Sequence, residues 1–168
     1  MTDTYDNLVK KALELGATDA RLIDTNSIVF DPRSYIKCRF GCNRWGQYWT
    51  CPPHLSISTE MFMDAFGKYT KALIIQTADP RTGQDVTLAI EKEAMLAANS
   101  PFAFAMVLCV QCETCAYPEP CRYPRLARPS MDAYGIDIGA TIAPLGFTIK
   151  FDPDGHLLPA WYSMVLVA

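Results

Sequence analysis

The stretch CVQCETCAYPEPC, residues 109–121, places four thiols within thirteen residues. Cys109, Cys112 and Cys115 stand three apart, and Cys121 follows after five intervening residues. Thiolates at that spacing can wrap three corners of a cube-shaped cluster from one tight turn, the ferredoxin arrangement for [4Fe–4S]. A mononuclear zinc site usually takes one C-x2-C knuckle and a second pair far along the chain, so a third cysteine this close adds little for zinc. An iron–sulfur cluster is the expectation here and zinc is the alternative.

Cys38, Cys42 and Cys51 form a second group. Isolated cysteines commonly pack as small hydrophobes, but seven that fall into two groups are not scattered core residues. Two wirings are open. Either Cys109, Cys112, Cys115 and Cys121 hold one cluster, or Cys51, followed by two prolines like a remote ferredoxin ligand, joins the triple while Cys121 pairs with Cys38 and Cys42. Short loops cost less closure entropy, which favours the local quartet. Three thiolates remain in either case. They could hold a second [4Fe–4S] cluster with one iron open to His54, water or substrate, or bind zinc, or stay as reduced thiols.

Basic residues crowd both segments. Lys37, Arg39 and Arg44 lie in the first, where residues 32–59 contain no acid; Arg122, Arg125 and Arg128 follow Cys121. Nearby cations stabilise a cluster of net negative charge and raise its reduction potential. Arg39, Arg44 and Arg122 are the candidates for contact with a cofactor, while Arg125 and Arg128 also suit a solvated basic edge. An anionic substrate or partner would use the same guanidinium groups. Phe40, Trp45, Tyr48, Trp49, Tyr117 and Tyr123 either shield a cluster from water or fill the core of a loop-rich region. Gly41 and Gly46 allow the backbone to turn closely. His54 is a possible ligand, but an ordinary loop histidine is the favoured reading. No P-loop, dinucleotide glycine pattern, Gly-x-Ser-x-Gly or paired-histidine zinc helix is present, so no catalytic residue is assigned.

The elements that position these groups are modest. A length of 168 residues suits one domain, spanning 1–168. The net charge of −3 argues against a general nucleic-acid binder. Asp3 and Asp6 stand where a signal peptide would be positive, and the apolar stretch 94–110 is broken by Asn99, Ser100 and Pro101. A cytoplasmic protein without a membrane span is expected, and a reducing compartment disfavours disulfides among an odd seven cysteines.

Helical spacing of Tyr5, Leu8, Ala12 and Leu15 predicts a first helix stopped at Gly16. Strands are expected over 20–24, 27–30, 72–75, 147–151 and 162–167, with a turn at Asp152-Pro153-Asp154-Gly155 between the last two. Helices are expected over 58–66, over 86–97 after a turn at 79–83, and over 128–134; residues 34–57 read as loop. The sum is a mixed α+β domain: a small sheet, helices, and two cysteine-bearing loops that meet on one side of it to form a metal-cluster site.

CRFGCNRWGQYWTCPPH and CVQCETCAYPEPCRYPRLARPSMDAYGID together resemble a family of small prokaryotic proteins described as predicted metal-binding proteins. The shared pattern runs C-R-x-G-C, C-P-P, C-x2-C-x2-C, C-R-x-P and R-P-S-M-x-A-x-G-I-D, over roughly residues 36–138. The resemblance implies metal binding by Cys38, Cys42, Cys51, Cys109, Cys112, Cys115 and Cys121, and it implies no reaction. Two departures stand out: an apolar FAFAMVL before Cys109, and Tyr123 where histidine is frequent. The functions in view are an electron-transfer protein serving a redox partner, and an enzyme or subunit whose open iron binds a small-molecule substrate. A colourless zinc module and a metal or cluster delivery protein are the alternatives.

Overall fold

The computed structural model describes residues 2–154 and 160–167. Among the described residues, five α-helices and a four-stranded antiparallel sheet build one small α+β domain. The helices are α1 (Thr2–Glu14), α2 (Pro32–Gly41), α3 (Thr59–Phe66), α4 (Pro80–Leu96) and α5 (Ile138–Ile142). The strands β1 (Asp19–Asp24), β2 (Lys71–Thr77), β3 (Phe104–Met106) and β4 (Trp161–Val167) lie in the order β1-β2-β4-β3.

The sheet is covered on both sides, which is why β2 reads as a continuous apolar run. Leu73, Ile75, Val165 and Val167 face Leu8 and Ala12 of α1 and Val86, Ile90 and Ala94 of α4. Ala72, Ile74, Met164 and Leu166 face Phe62 and Phe66 of α3, Met131, Tyr134, Ile136 and Ile142. The second face carries the chain that leads to both cysteine groups.

Several expectations change. Residues 34–57 are not loop throughout, because α2 occupies the first part. Asp31 caps it by accepting from the Arg33 N–H, and Pro32 sits in its first turn. Proline needs no helical donor partner there, so Asp-Pro opens a helix as well as closing a strand. The same signature recurs at Asp79-Pro80, where the expected turn is the first turn of α4. Residues 27–30 make only an isolated bridge, Phe30 to Ile136, after a 3-10 turn at Thr25–Ser27. Residues 147–151 form no strand of the sheet, and β3 takes the place beside β4. Of the turn expected next, Gly155 lies outside the described residues. The helix expected over 128–134 contracts to a 3-10 turn at Met131–Tyr134, closed by Gly135 at φ 81°. No helix is long and apolar enough to cross a membrane among the described residues.

Candidate metal centre

The second cysteine segment leaves the end of β3 and runs as a loop from residue 107 to 130. Two side chains of α4 fasten it. Gln84, fully buried, accepts from the Val110 N–H at 2.8 Å and donates to the Leu126 carbonyl at 3.1 Å. Glu91 accepts from the Ala105 N–H of β3 at 2.8 Å and from Arg128 through both carboxylate oxygens, at 2.9 and 2.6 Å. Arg128 also donates to the carbonyls of Arg125 and Ala127. Arg128 is thus a structural clamp and not a solvated edge. Gln84 and Glu91 had no signal in the sequence beyond being polar in an apolar helix face.

Between these clamps, Cys109, Cys112, Cys115 and Cys121 line a single cavity with Trp49, Thr50 and Arg122. All four thiols are half-buried and unbridged. Arg122 donates to the Thr114 carbonyl at 3.1 Å, which holds its guanidinium across the cysteine loop. The first segment supplies the facing wall. Trp49 donates from Nε1 to the Glu119 carbonyl at 2.8 Å and meets the Tyr117 ring edge-on at 4.9 Å. The His54 ring stacks on Tyr117 at 4.1 Å, and its Nε2 lies 3.2 Å from the Gly46 carbonyl oxygen. His54 therefore serves the packing of the two loops.

Cys38, Cys42 and Cys51 belong to that first segment and lie within electrostatic reach of one another. Cys38 is the single buried residue of α2, Cys42 is its exposed C-cap, and Cys51 is buried in the loop beyond. Burial pushes the Cys38 thiol up to about 12, with Asp132, Cys42 and Cys51 adding to the effect. Burial likewise raises Cys51 to about 11, opposed by the Arg44 guanidinium and reinforced by Cys42 and Asp132. A groove of about 730 Å³ opens onto Cys38 and Cys42, lined also by Lys37, Asp132 and Ile149.

Arg44 joins the two sites. It donates to the Cys109 carbonyl at 2.9 Å, lies 4.0 Å over the Tyr48 ring, and favours the thiolate of Cys51. Arg39 instead packs over Phe40 and Trp45, at 5.1 and 5.3 Å. The two cysteine segments meet, as the sequence suggests, and the neighbours of Cys51 are Cys42 and Cys38 while Cys121 shares a cavity with the triple. Among the described residues, no three Cys, His, Asp or Glu side chains stand close enough together to grip one metal ion as they are.

A family model, predicted metal-binding protein (DUF2284), matches residues 21–167. The chain belongs to this family. The DUF2284 match contains all seven cysteines and extends beyond the stretch 36–138 that carries the motifs. No curated protein and no solved structure matches the chain.

Two expected outcomes follow from this geometry. Gln84→Leu leaves the Val110 N–H and the Leu126 carbonyl without their partner; both bonds are partly buried, so each one lost costs about 0.5–1.5 kcal/mol. A lower urea midpoint for the metal-free variant checks this, and an unchanged midpoint would show that the clamp contributes nothing. The second outcome concerns pH. In the metal-free fold Cys38 and Cys51 keep their protons above the ordinary thiol value of 9.0, up to about 12 and about 11. The unfolded chain binds fewer protons in that window, so stability falls as pH rises from 9.0 towards 11–12. Thermal melts of the wild type and of Cys38→Ala across that range measure it; the variant should lose part of the slope.

Proposed function

We propose that this DUF2284 protein carries iron–sulfur clusters and exchanges electrons with a redox partner. One observation supports the reading most. Four thiols line one cavity, and three of them follow the C-x2-C-x2-C spacing. That spacing suits three corners of a cubane, whereas tetrahedral zinc usually takes one C-x2-C knuckle and a second pair far along the chain. Cys109, Cys112, Cys115 and Cys121 would hold one cluster; Cys38, Cys42 and Cys51 would hold a second. Such clusters, when bound, supply one-electron oxidation and reduction at potentials set by charge, hydrogen bonding and exposure.

The chain's own groups suit that task. Arg122 and Arg44 place positive charge across the quartet loop and between the two thiol groups. Trp49, Tyr117 and His54 close the quartet side with packed rings. Excluding water there lowers the local dielectric and strengthens the arginine charges.

The partner is proposed to meet α2. This helix exposes Ile36 and Phe40 one turn apart, at 56% and 80%, beside Lys37, Arg39 and the exposed Cys42. An apolar centre ringed by cations, in a segment free of acids, fits an acidic electron carrier. Titration with an acidic plant-type ferredoxin should show binding that weakens on going from 50 to 300 mM salt, because screening shortens from above 10 Å to below 8 Å. Lys37→Glu with Arg39→Glu should weaken it about tenfold. Binding indifferent to both would remove α2 from the interface. Iron, sulfide and zinc analysis of anaerobically purified protein tests the reading as a whole.

A further inference from the structure

A second cavity backs onto the one that holds the cysteine quartet. It measures about 360 Å³ and shares Trp49, Thr50, Cys121 and Ala127 with its neighbour. The exposed Ser56, Ile57 and Pro124 form its rim, and the buried Tyr134 belongs to its interior. No Asp, Glu, Lys or Arg lines it. That sets it apart from its surroundings, because arginines stud both cysteine segments and Arg122 lines the adjoining cavity. A charged molecule entering here would give up its hydration and meet no counter-charge. The rings of Trp49, His54, Phe104 and Tyr134 and two prolines, Pro124 and Pro129, supply flat apolar surface instead. Such walls suit an aromatic occupant, and a volume of this order with few polar groups is that of a small-molecule pocket.

Tyr134 supplies the polar contact. Its ring is fixed by stacking on Phe62, with centroids 4.0 Å apart and planes 10° from parallel. Its one hydrogen bond among the described residues runs from the hydroxyl to the Ile57 carbonyl at 3.4 Å. A good O–H···O bond is about 2.7–2.8 Å long. A buried hydroxyl held this loosely gains by turning to a closer acceptor. We propose that this cavity binds a small neutral aromatic molecule with a ring carbonyl, the chemical class that includes quinones, and that the Tyr134 hydroxyl donates to the carbonyl oxygen. Recognition comes from the rings and from Tyr134 and needs no metal, so the site stands apart from the iron–sulfur reading. Trp49 and Cys121 belong to both cavities, which places the occupant beside the quartet.

The test is calorimetric titration of the full chain, purified anaerobically, with two probes. 1-Tetralone is a bicyclic aromatic ketone that does not alkylate thiols; 1-naphthoate is of similar size and carries a charge. 1-Tetralone should bind once per chain with a Kd below about 1 mM, and 1-naphthoate about tenfold or more weakly. Ser56→Trp puts an indole at the exposed rim and should weaken 1-tetralone by about tenfold or more. Tyr134→Phe keeps the ring and its stack on Phe62 and should weaken it about three- to tenfold. Thermal melts report that both variants are folded. Equal affinity for the two probes, no binding of 1-tetralone below about 1 mM, or wild-type affinity in both variants would overturn the proposal. Protein that contains no iron or sulfide and still binds 1-tetralone would uphold it and strike only the iron–sulfur reading.

Discussion

Replacing Cys112 with serine is expected to remove about half of the iron and sulfide from the anaerobically purified protein. Cys112 is the middle thiol of the quartet cavity, and without it Cys109 and Cys115 stand six residues apart with no thiol between them. The residual colour should come from the site of Cys38, Cys42 and Cys51. Cys51→Ser is the complementary experiment. Its thiol is grouped with Cys42 and Cys38, so its loss should spare the quartet cluster and abolish the other. The opposite wiring, with Cys51 completing the triple and Cys121 joining Cys38 and Cys42, makes Cys51→Ser and Cys112→Ser strike the same cluster. Spectra that are superimposable for the two variants would contradict the local quartet.

Glu91→Ala carries the largest expected cost in stability. Glu91 is 7% exposed and satisfies both the Ala105 N–H and the bidentate Arg128. Its removal leaves the Ala105 N–H without an acceptor and the half-buried Arg128 guanidinium without its carboxylate, held only by the Arg125 and Ala127 carbonyls. Breaking a buried pair from one side costs about 3–5 kcal/mol, a large part of the 5–15 kcal/mol that separates a typical domain from its unfolded state. At about 2–4 °C per kcal/mol for a chain of this size, the melting temperature should fall by roughly 6–20 °C. Because Arg128 ends the cysteine loop, the variant should also release metal to a chelator faster than wild type. Glu91→Gln keeps an acceptor for Ala105 and should lose less. Thermal melts and chelator kinetics check both points; a melting temperature within 2 °C of wild type would show that the pair is worth no more than a surface salt bridge.

The core was legible where burial imposes a period. The apolar faces of α1 and α4 and the uninterrupted run of β2 follow directly from what they pack against. The ligand candidates were legible because thiol spacing is itself a chemical statement. What escaped the sequence is instructive. Helix α2 has scarcely any apolar period, since it buries Cys38 alone, so only its Asp31-Pro32 cap announced it. Strand β3 is three residues long and depends on β4, a partner about 60 residues away, for its identity as a strand. The second cluster of side chains had its own blind spot. Glu91 matters through partners that are distant in sequence, Ala105 and Arg128, and its one signal is a polar residue in an apolar helix face. Arg128 shows the converse: it looked like part of a basic edge, and the fold makes it a clamp.

The metal and sulfide content of the full chain, purified without oxygen, tests the central claim most directly. The account requires iron and acid-labile sulfide in equal amounts, close to eight of each per chain for two clusters, with broad visible absorbance that bleaches on reduction. One equivalent of zinc or more, no sulfide and no colour would contradict it.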